Sequence, residues 1–188
     1  LENTLRINRD KPAIVLANYG TTMKEAKDDV TRIKNILKSL AIQDSYIHCD
    51  AALAGSYGAF VEPRVPFDFK DGADSVAISG HKFIGSPIPS GVIITKKSNR
   101  DRIAKGVSYI GSFDTTITGS RNGHSPLFLW YALKRMGVEG LKQRFQSSLE
   151  VAAYCEKRLN EIGIPAWRNP NAITIVFPKV HDSIISKW

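Results

Sequence analysis

Two short apolar runs separated by one helical pattern restrict most strongly how this chain can fold. Residues 12–17 form an apolar run after a charged turn, which is typical of a buried parallel strand. From Asp29 to Leu40, apolar residues recur at helical spacing behind an acidic start that suits a helix N-terminus. Residues 45–50 then form a second strand. A strand–helix–strand unit of this kind favours an α/β fold with a mostly parallel sheet.

A lysine follows the next predicted strand, residues 74–79. The sequence Ser-Gly-His-Lys at 79–82 places Lys82 just past the carboxyl end of this strand, where open α/β sheets build their sites. A desolvated lysine can lose its proton and condense with a carbonyl, although most lysines are solvated surface groups. Residues 91–95 are predicted to return antiparallel, because only a tight turn precedes them.

Two stretches together resemble a known family. The sequence Asp-Ala-Ala at 50–52, followed by Ser-Gly-His-Lys at 79–82, is similar to the pattern of the pyridoxal-phosphate-dependent group II amino-acid decarboxylases. The resemblance runs from residues 17–22 to residues 173–177. Bacterial histidine decarboxylases are the most similar members, and the stretches that suggest this are 85–89, 118–124 and 163–171.

The resemblance implies a type I pyridoxal-phosphate-dependent fold, like that of aspartate aminotransferase. Residues 1–124 would belong to the large cofactor-binding domain, residues 125–160 to linking helices, and residues 161–188 to the start of the small C-terminal domain. In the family, a phosphate-binding loop and a ring-stacking residue precede the part that matches Gly20. We therefore expect the 188 residues to be a fragment of a longer enzyme.

The resemblance also implies roles for individual residues. Lys82 would bind pyridoxal 5'-phosphate through a Schiff base, and Asp50 would pair with the protonated pyridine nitrogen, which keeps the ring an electron sink. The other residues expected at the cofactor are Ala52 under the ring, together with His81, Ser79, Thr22 and Ser120. Structural alternatives remain for three of these positions: Asp50 as a helix cap, the threonines as turn residues, and His81 as a packed histidine.

Decarboxylation of an L-amino acid is the function that the resemblance implies, most simply histidine to histamine and CO2. Serine or an aromatic amino acid is the alternative substrate, and a non-catalytic α/β binding domain is the alternative class. The family forms homodimers that share active sites. Related enzymes protonate the product from a tyrosine in a covering loop, and the only tyrosine of the short loop predicted at 109–122 is Tyr109 at its edge.

Composition excludes several other classes of protein. The net charge is +8, but the lysines and arginines are dispersed and not interleaved with aromatic residues, which argues against nucleic-acid binding. Two cysteines are too few for a disulfide framework or a structural zinc site, and no metal-ligand motif occurs. No apolar run reaches the roughly 20 residues of a membrane span. The N-terminal residues do not have the pattern of a signal peptide, so we expect a cytoplasmic protein.

The second half of the chain is predicted to be mainly helical. Apolar residues at 127–133 indicate a helix that stops near Gly137, and those at 141–162 indicate a longer amphipathic helix. Residues 172–177 are predicted to be a strand with few neighbours, and residues 54–72 an irregular segment over the large domain.

Overall fold

A four-stranded sheet lies at the centre of the computed structural model, which describes residues 1–107, 111–116 and 119–187. Its strands, in spatial order, are β1 (Ala13–Asn18), β2 (Ser45–Asp50), β3 (Ser75–Ser79) and β4 (Gly91–Thr95). The helices are α1 (Glu2–Ile7), α2 (Val30–Ser39), α3 (Lys97–Ile103), α4 (His124–Glu161) and α5 (Asp182–Ile185). A small hairpin of β5 (Lys105–Val107) and β6 (Ser112–Asp114) lies apart from the main sheet.

The predicted strand–helix–strand unit is confirmed. Strands β1 and β2 pair in parallel, from Ala13 opposite Ser45 to Asn18 opposite Asp50. Asp29 caps the intervening helix α2, because its side chain accepts a hydrogen bond from Arg32 N at 2.9 Å. The cap satisfies one of the unpaired donors at the helix N-terminus, so the acidic start predicted from the sequence has a defined structural role.

Strand β1 is buried on one face only. Its inward residues alternate with Ile14 and Leu16, whose side chains are 79% and 68% exposed. The prediction of a buried parallel strand is therefore confirmed for the pairing and for one face, while the opposite face is open in this chain. The physical reason is that the buried core, which includes residues of α2, lies against a single face of β1.

Strands β3 and β4 complete a mostly parallel sheet, as predicted. Strand β3 runs parallel to β2, with Asp50 opposite Ala77, and β4 runs antiparallel to β3, with Ser79 opposite Gly91. The carboxyl ends of β1, β2 and β3 therefore meet at one edge of the sheet. This edge is where the candidate site residues emerge.

The long helix α4 is interrupted, as the sequence predicts. Gly137 has a backbone conformation of φ 61° and ψ −170°, which divides α4 into two helices across a kink.

Residues 54–72 are largely irregular but include two short 3-10 helices, Ala54–Ser56 and Gly58–Phe60. Among the described residues, no helix combines the length and the apolar character needed to cross a membrane.

Two predictions about the later segments are corrected. Strand β6 lies within the predicted loop at 109–122, where Phe113 pairs with Gly106, whereas Tyr109 itself lies outside the described residues. The predicted strand at 172–177 is reduced to one antiparallel bridge between Trp167 and Val176. Two backbone N–H groups of this segment, Ile173 N and Thr174 N, donate to the Glu25 carboxylate and not to a neighbouring strand.

Candidate active site

The segments that follow β1, β2 and β3 are joined to one another by backbone hydrogen bonds. Tyr19 N donates to Asp50 O at 2.7 Å, and Ser79 N donates to Ala52 O at 3.0 Å. Gly20 has a φ of +101°, and a Cβ at this position would lie 2.9 Å from Ala54 Cβ. The predicted stretches from the three strands are therefore brought together at the carboxyl edge of the sheet.

Lys82 lies three residues beyond the end of β3, and its side chain is exposed. It makes no hydrogen bond or ion pair with any described residue. The next two residues, Phe83 and Ile84, are buried, and their carbonyl oxygens accept hydrogen bonds from Arg144 Nη1 at 3.2 and 3.1 Å. The backbone after Lys82 is thus anchored to helix α4, whereas the amine of Lys82 is available to another molecule.

His81 is held by the backbone of Ser90. Its Nδ1 lies 3.1 Å from Ser90 N and 3.0 Å from Ser90 O, so that backbone fixes the ring in either tautomer. Nε2 has no partner among the described residues, which leaves it for a ligand. The two interpretations of His81, as a packed histidine and as a cofactor-binding one, are therefore compatible. One ring nitrogen has a structural role, and the other is available for binding.

Asp50 ends β2 and is exposed. Its Oδ1 accepts a hydrogen bond from Ala52 N at 3.1 Å, which is the turn-forming contact of an aspartate with the backbone two residues later. The expected helix cap is not formed, because no regular helix follows at once. Ala51 is buried and Ala52 is half-buried, so the floor beside the carboxylate is made of small side chains.

The threonine pair after β1 has one structural member. Thr21 Oγ1 accepts a hydrogen bond from Ala26 N at 3.0 Å, and Gly20 N and Thr21 N donate to Ala26 O at 3.0 and 3.1 Å. These bonds close a turn, so Thr21 has the structural role of a turn residue that was the alternative to cofactor binding. Thr22 is exposed at this turn, so its hydroxyl is available at the same edge of the sheet.

Ser120 lies outside the helix that follows it. It is exposed and precedes α4 by four residues, because α4 begins at His124. Asn122 satisfies the helix N-terminus, since its Oδ1 accepts from Ser125 N at 3.0 Å. The structure therefore places Ser120 before the helix and not at its first turn.

The chemistry of the edge suits pyridoxal phosphate. Lys82 offers a primary amine and Asp50 a carboxylate, while the small side chain of Ala52 permits a flat ring to approach the backbone. His81 Nε2 and the hydroxyl groups of Ser79 and Thr22 can bind phosphate or ring oxygens. Among residues 1–107, 111–116 and 119–187, no group of three His, Cys, Asp or Glu side chains is arranged to hold a metal ion.

Burial dominates the electrostatics behind this edge. Cys49 is fully buried next to Asp50, and burial raises the pKa of its thiol to about 12. The neighbouring Asp50 carboxylate raises the pKa of Cys49 further, because it disfavours a second negative charge. Cys49 therefore remains a neutral thiol that packs beneath the site.

Sequence reasoning missed four residues that organise the site: Ser90, Arg144, Glu25 and Tyr57. Arg144 has only a weak signal, since it lies at helical spacing from the half-buried Leu141 and Ser148 while its own side chain is exposed. Glu25 has no such signal, because it lies in a polar stretch that is typical of an exposed loop. Its burial depends on donors far away in the sequence.

Comparisons with known proteins agree with this geometry. Residues 2–173 match the family model described as the pyridoxal-dependent decarboxylase conserved domain. The chain is 51% identical over 180 residues to a histidine decarboxylase of Mesorhizobium japonicum, covering 96% of this chain and 49% of that protein. It is 50% identical over 177 residues to a histidine decarboxylase of Morganella morganii, covering 92% and 47%.

Solved structures show the same similarity. The L-methionine decarboxylase of Streptomyces sp. 590 superposes with a TM-score of 0.87 at 29% identity, covering 100% of this chain and 47% of that one. The chain thus spans about half the length of the curated relatives it matches. The predicted type I fold is confirmed by this likeness to pyridoxal-dependent decarboxylases.

Proposed function

This chain belongs to the pyridoxal-dependent decarboxylase family, and from that premise we propose that the whole protein converts L-histidine to histamine and CO2. The observation that carries the reaction type is that Lys82 and Asp50 follow neighbouring parallel strands at one edge of the sheet, on segments linked by the hydrogen bond from Ser79 N to Ala52 O. The choice of histidine is supported by the 50–51% identity to histidine decarboxylases.

Pyridoxal phosphate, when bound, supplies a conjugated ring that takes up the electron pair left by the departing carboxylate. The amine of Lys82 would attach the cofactor covalently, because it is exposed and unpaired among the described residues. The Asp50 carboxylate would hold a proton on the pyridine nitrogen and so stabilise the cationic ring. Ala52 would allow the ring to lie close to the backbone.

Hydrogen-bond donors around this pair would orient the cofactor. His81 can donate from Nε2, because the Ser90 backbone occupies Nδ1. Ser79, Thr22 and Ser120 would contribute hydroxyl groups, the last of them from the segment before α4. The roles of His81, Ser79 and Thr22 are proposals that follow from their position at the edge of the sheet, whereas the role of Ser120 follows from the family resemblance.

We propose that residues 1–124 form part of the large domain, residues 125–160 link the domains, and residues 161–188 start the small domain. Helix α4 supports this division, because its bounds, His124–Glu161, closely match those of the proposed linking segment.

We propose that the enzyme is a cytoplasmic homodimer. The first part of α4 supports a subunit interface, because it exposes large apolar side chains. These are Leu127, Trp130 and Tyr131, at 55%, 60% and 57% exposure. Cys49 and Cys155 are both free thiols, which suits a reducing compartment. Light scattering of the full-length protein tests the dimer.

The deciding experiment uses the full-length protein with pyridoxal phosphate and a panel of amino acids, with amines identified by mass spectrometry. We expect histamine to form at least ~100-fold faster than any other amine, because a site built to hydrogen-bond a polar side chain rejects analogues strongly. Ethanolamine or an aromatic amine as the main product would overturn the substrate. Absence of any amine would overturn the decarboxylase function.

A further inference from the structure

Glu25 is a fully buried carboxylate with four hydrogen-bond donors. Its Oε1 accepts from Tyr57 OH at 2.7 Å and from Lys27 Nζ at 3.2 Å. Its Oε2 accepts from Ile173 N at 2.8 Å and from Thr174 N at 2.9 Å. A buried charge is tolerated only when such partners replace water, so this carboxylate fixes three separate parts of the chain.

The first part is the turn that carries Thr22. Glu25 N donates to Thr21 O at 2.8 Å, and its backbone has a φ of +52°, which is unfavourable for a residue other than glycine. A residue in this conformation persists only where its surroundings hold it. The bonds to the side chain of Glu25 supply that restraint, so the shape of the turn depends on the carboxylate.

The second part is the lysine loop, which Glu25 reaches through Tyr57. The hydroxyl of Tyr57 donates to Glu25, while its ring packs edge-on against Phe83 with ring centroids 4.8 Å apart. The same ring stacks on Phe145 of α4 at 4.7 Å. Since Phe83 follows Lys82 directly, the position of Tyr57 bears on the position of the lysine.

The third part is the segment 169–174, which the described function leaves without a role. Besides the two bonds to Glu25, Asn169 Nδ2 donates to Lys24 O at 2.7 Å. Asn171 Nδ2 donates to Glu62 O, also at 2.7 Å. The segment is therefore docked both on the turn after β1 and, separately, on the irregular segment near Glu62.

We propose that Glu25 is a positioning residue for the cofactor site. Its carboxylate holds the Thr22 turn and the Lys82 loop in their places by joining both to the docked segment 169–174. Glu25 is buried and acts through its neighbours without touching cofactor or substrate. The inference rests on the proposed function only where it concerns the cofactor, since the hold on the turn is a property of the chain itself.

The test compares Glu25→Gln with Asn171→Ala in the full-length enzyme. The glutamine amide presents a donor where the carboxylate had an acceptor, so it satisfies either the two backbone N–H groups or the Tyr57 and Lys27 side, but not both. Asn171→Ala is the matched control, because it removes the hydrogen bond from Asn171 Nδ2 to Glu62 O. This bond belongs to the same segment but involves neither the turn nor Tyr57.

Two readouts are measured for each protein. Hydrogen exchange of the Gly20 and Thr21 amides, which both donate to Ala26 O, is followed in the apoenzyme, and the dissociation constant of pyridoxal phosphate is measured by absorbance titration. For Glu25→Gln we expect exchange at these two amides to be at least ~10-fold faster, because local opening becomes easier. We expect the cofactor dissociation constant to rise at least ~10-fold, with wild-type values for Asn171→Ala.

The outcomes separate this inference from the proposed function. Wild-type exchange and cofactor affinity in a folded Glu25→Gln protein would overturn the positioning role, and so would equal effects in Asn171→Ala. If Glu25→Gln does not fold, Tyr57→Phe replaces it, since it keeps the ring on Phe83 and removes only the bond to Glu25; unchanged affinity there overturns the proposal. Failure of the wild-type enzyme to bind cofactor overturns the proposed function, while the exchange experiment still decides the role of Glu25.

Discussion

Arg144 Nη1 donates a hydrogen bond to the carbonyl oxygen of Phe83 at 3.2 Å, across 61 positions of sequence. The same nitrogen reaches Ile84 O at 3.1 Å, so helix α4 holds the backbone immediately after Lys82. We expect Arg144→Met to lower the free energy of unfolding by about 1–2 kcal/mol and to lower kcat, because two charge-assisted hydrogen bonds are lost. Lys142→Met on the same helix is the control, and wild-type behaviour of both variants would contradict the anchoring role.

Replacing Lys82 tests the proposed attachment of the cofactor. Lys82→Ala removes the amine, so we expect no cofactor to remain bound after borohydride reduction and a loss of turnover of at least ~1000-fold. Intact-protein mass and histamine assays measure the two effects. Lys97→Ala, which removes an exposed lysine from α3, should retain both properties. Normal turnover of Lys82→Ala would refute the site.

The charge of Asp50 can be removed with little change in shape. Asp50→Asn retains an oxygen that can accept the hydrogen bond from Ala52 N, so the turn should remain intact. We expect cofactor binding to persist and kcat to fall at least ~100-fold, because a charge aimed at the reacting system is worth a few kcal/mol. Asp28→Asn is the control, since the Asp28 carboxylate accepts a hydrogen bond from Asn18 N at the end of the neighbouring strand β1. A rate near that of wild type would exclude the role at the pyridine nitrogen.

Two fully buried tyrosines should respond oppositely to loss of the hydroxyl group. Tyr19 stacks on Phe67 with ring centroids 4.1 Å apart, but its hydroxyl has no partner among the described residues. Tyr57 donates its hydroxyl to Glu25. We expect Tyr19→Phe to be neutral or up to about 1 kcal/mol more stable, and Tyr57→Phe to be about 1–2 kcal/mol less stable. Chemical unfolding of the pair measures this, and equal losses would contradict the assignment.

Alkaline pH should destabilise the protein through its buried acids. Burial raises the pKa of the Cys49 thiol from 9.0 to about 12 and that of the Tyr19 hydroxyl from 10.0 to about 12. The unfolded chain therefore loses these protons first, so stability is complete below pH 9 and declines as the pH rises towards 12.

Thermal unfolding between about pH 7.5 and pH 10.5 measures this decline. We expect stability to fall less steeply in Cys49→Ala than in wild type, with Cys155→Ala as the control, because each buried acid contributes at most about 1.4 kcal/mol per pH unit. A decline in Cys49→Ala as steep as that in wild type would exclude the thiol as its source.

Local patterns were sufficient to predict the sheet and its edge. The run at 45–50, the helical spacing after Asp29 and the tight turn before residue 91 each depend on neighbours in sequence, and the structure confirms all three. The position of Lys82 at the end of a strand follows from the same local information. Its role at the cofactor came from the resemblance.

The structural features that could not be predicted from the sequence depend on hydrogen-bond partners that are distant along the chain. Glu25 is buried because Ile173 and Thr174, almost 150 positions away, point their N–H groups at it. The same two N–H groups are therefore not paired with a neighbouring strand in the segment 172–177. Periodicity carries no information about such pairings, since a buried acid and an exposed one look alike in a polar stretch.

The turn at Gly20 also bears on how this enzyme can be redesigned. With a φ of +101° and the backbone of Ala54 within 3.3 Å of a would-be Cβ, position 20 rejects every side chain. A directed-evolution library would lose its variants at position 20, whereas Thr22, two positions later, is exposed. Variation of this turn, beside the proposed cofactor site, therefore begins at Thr22.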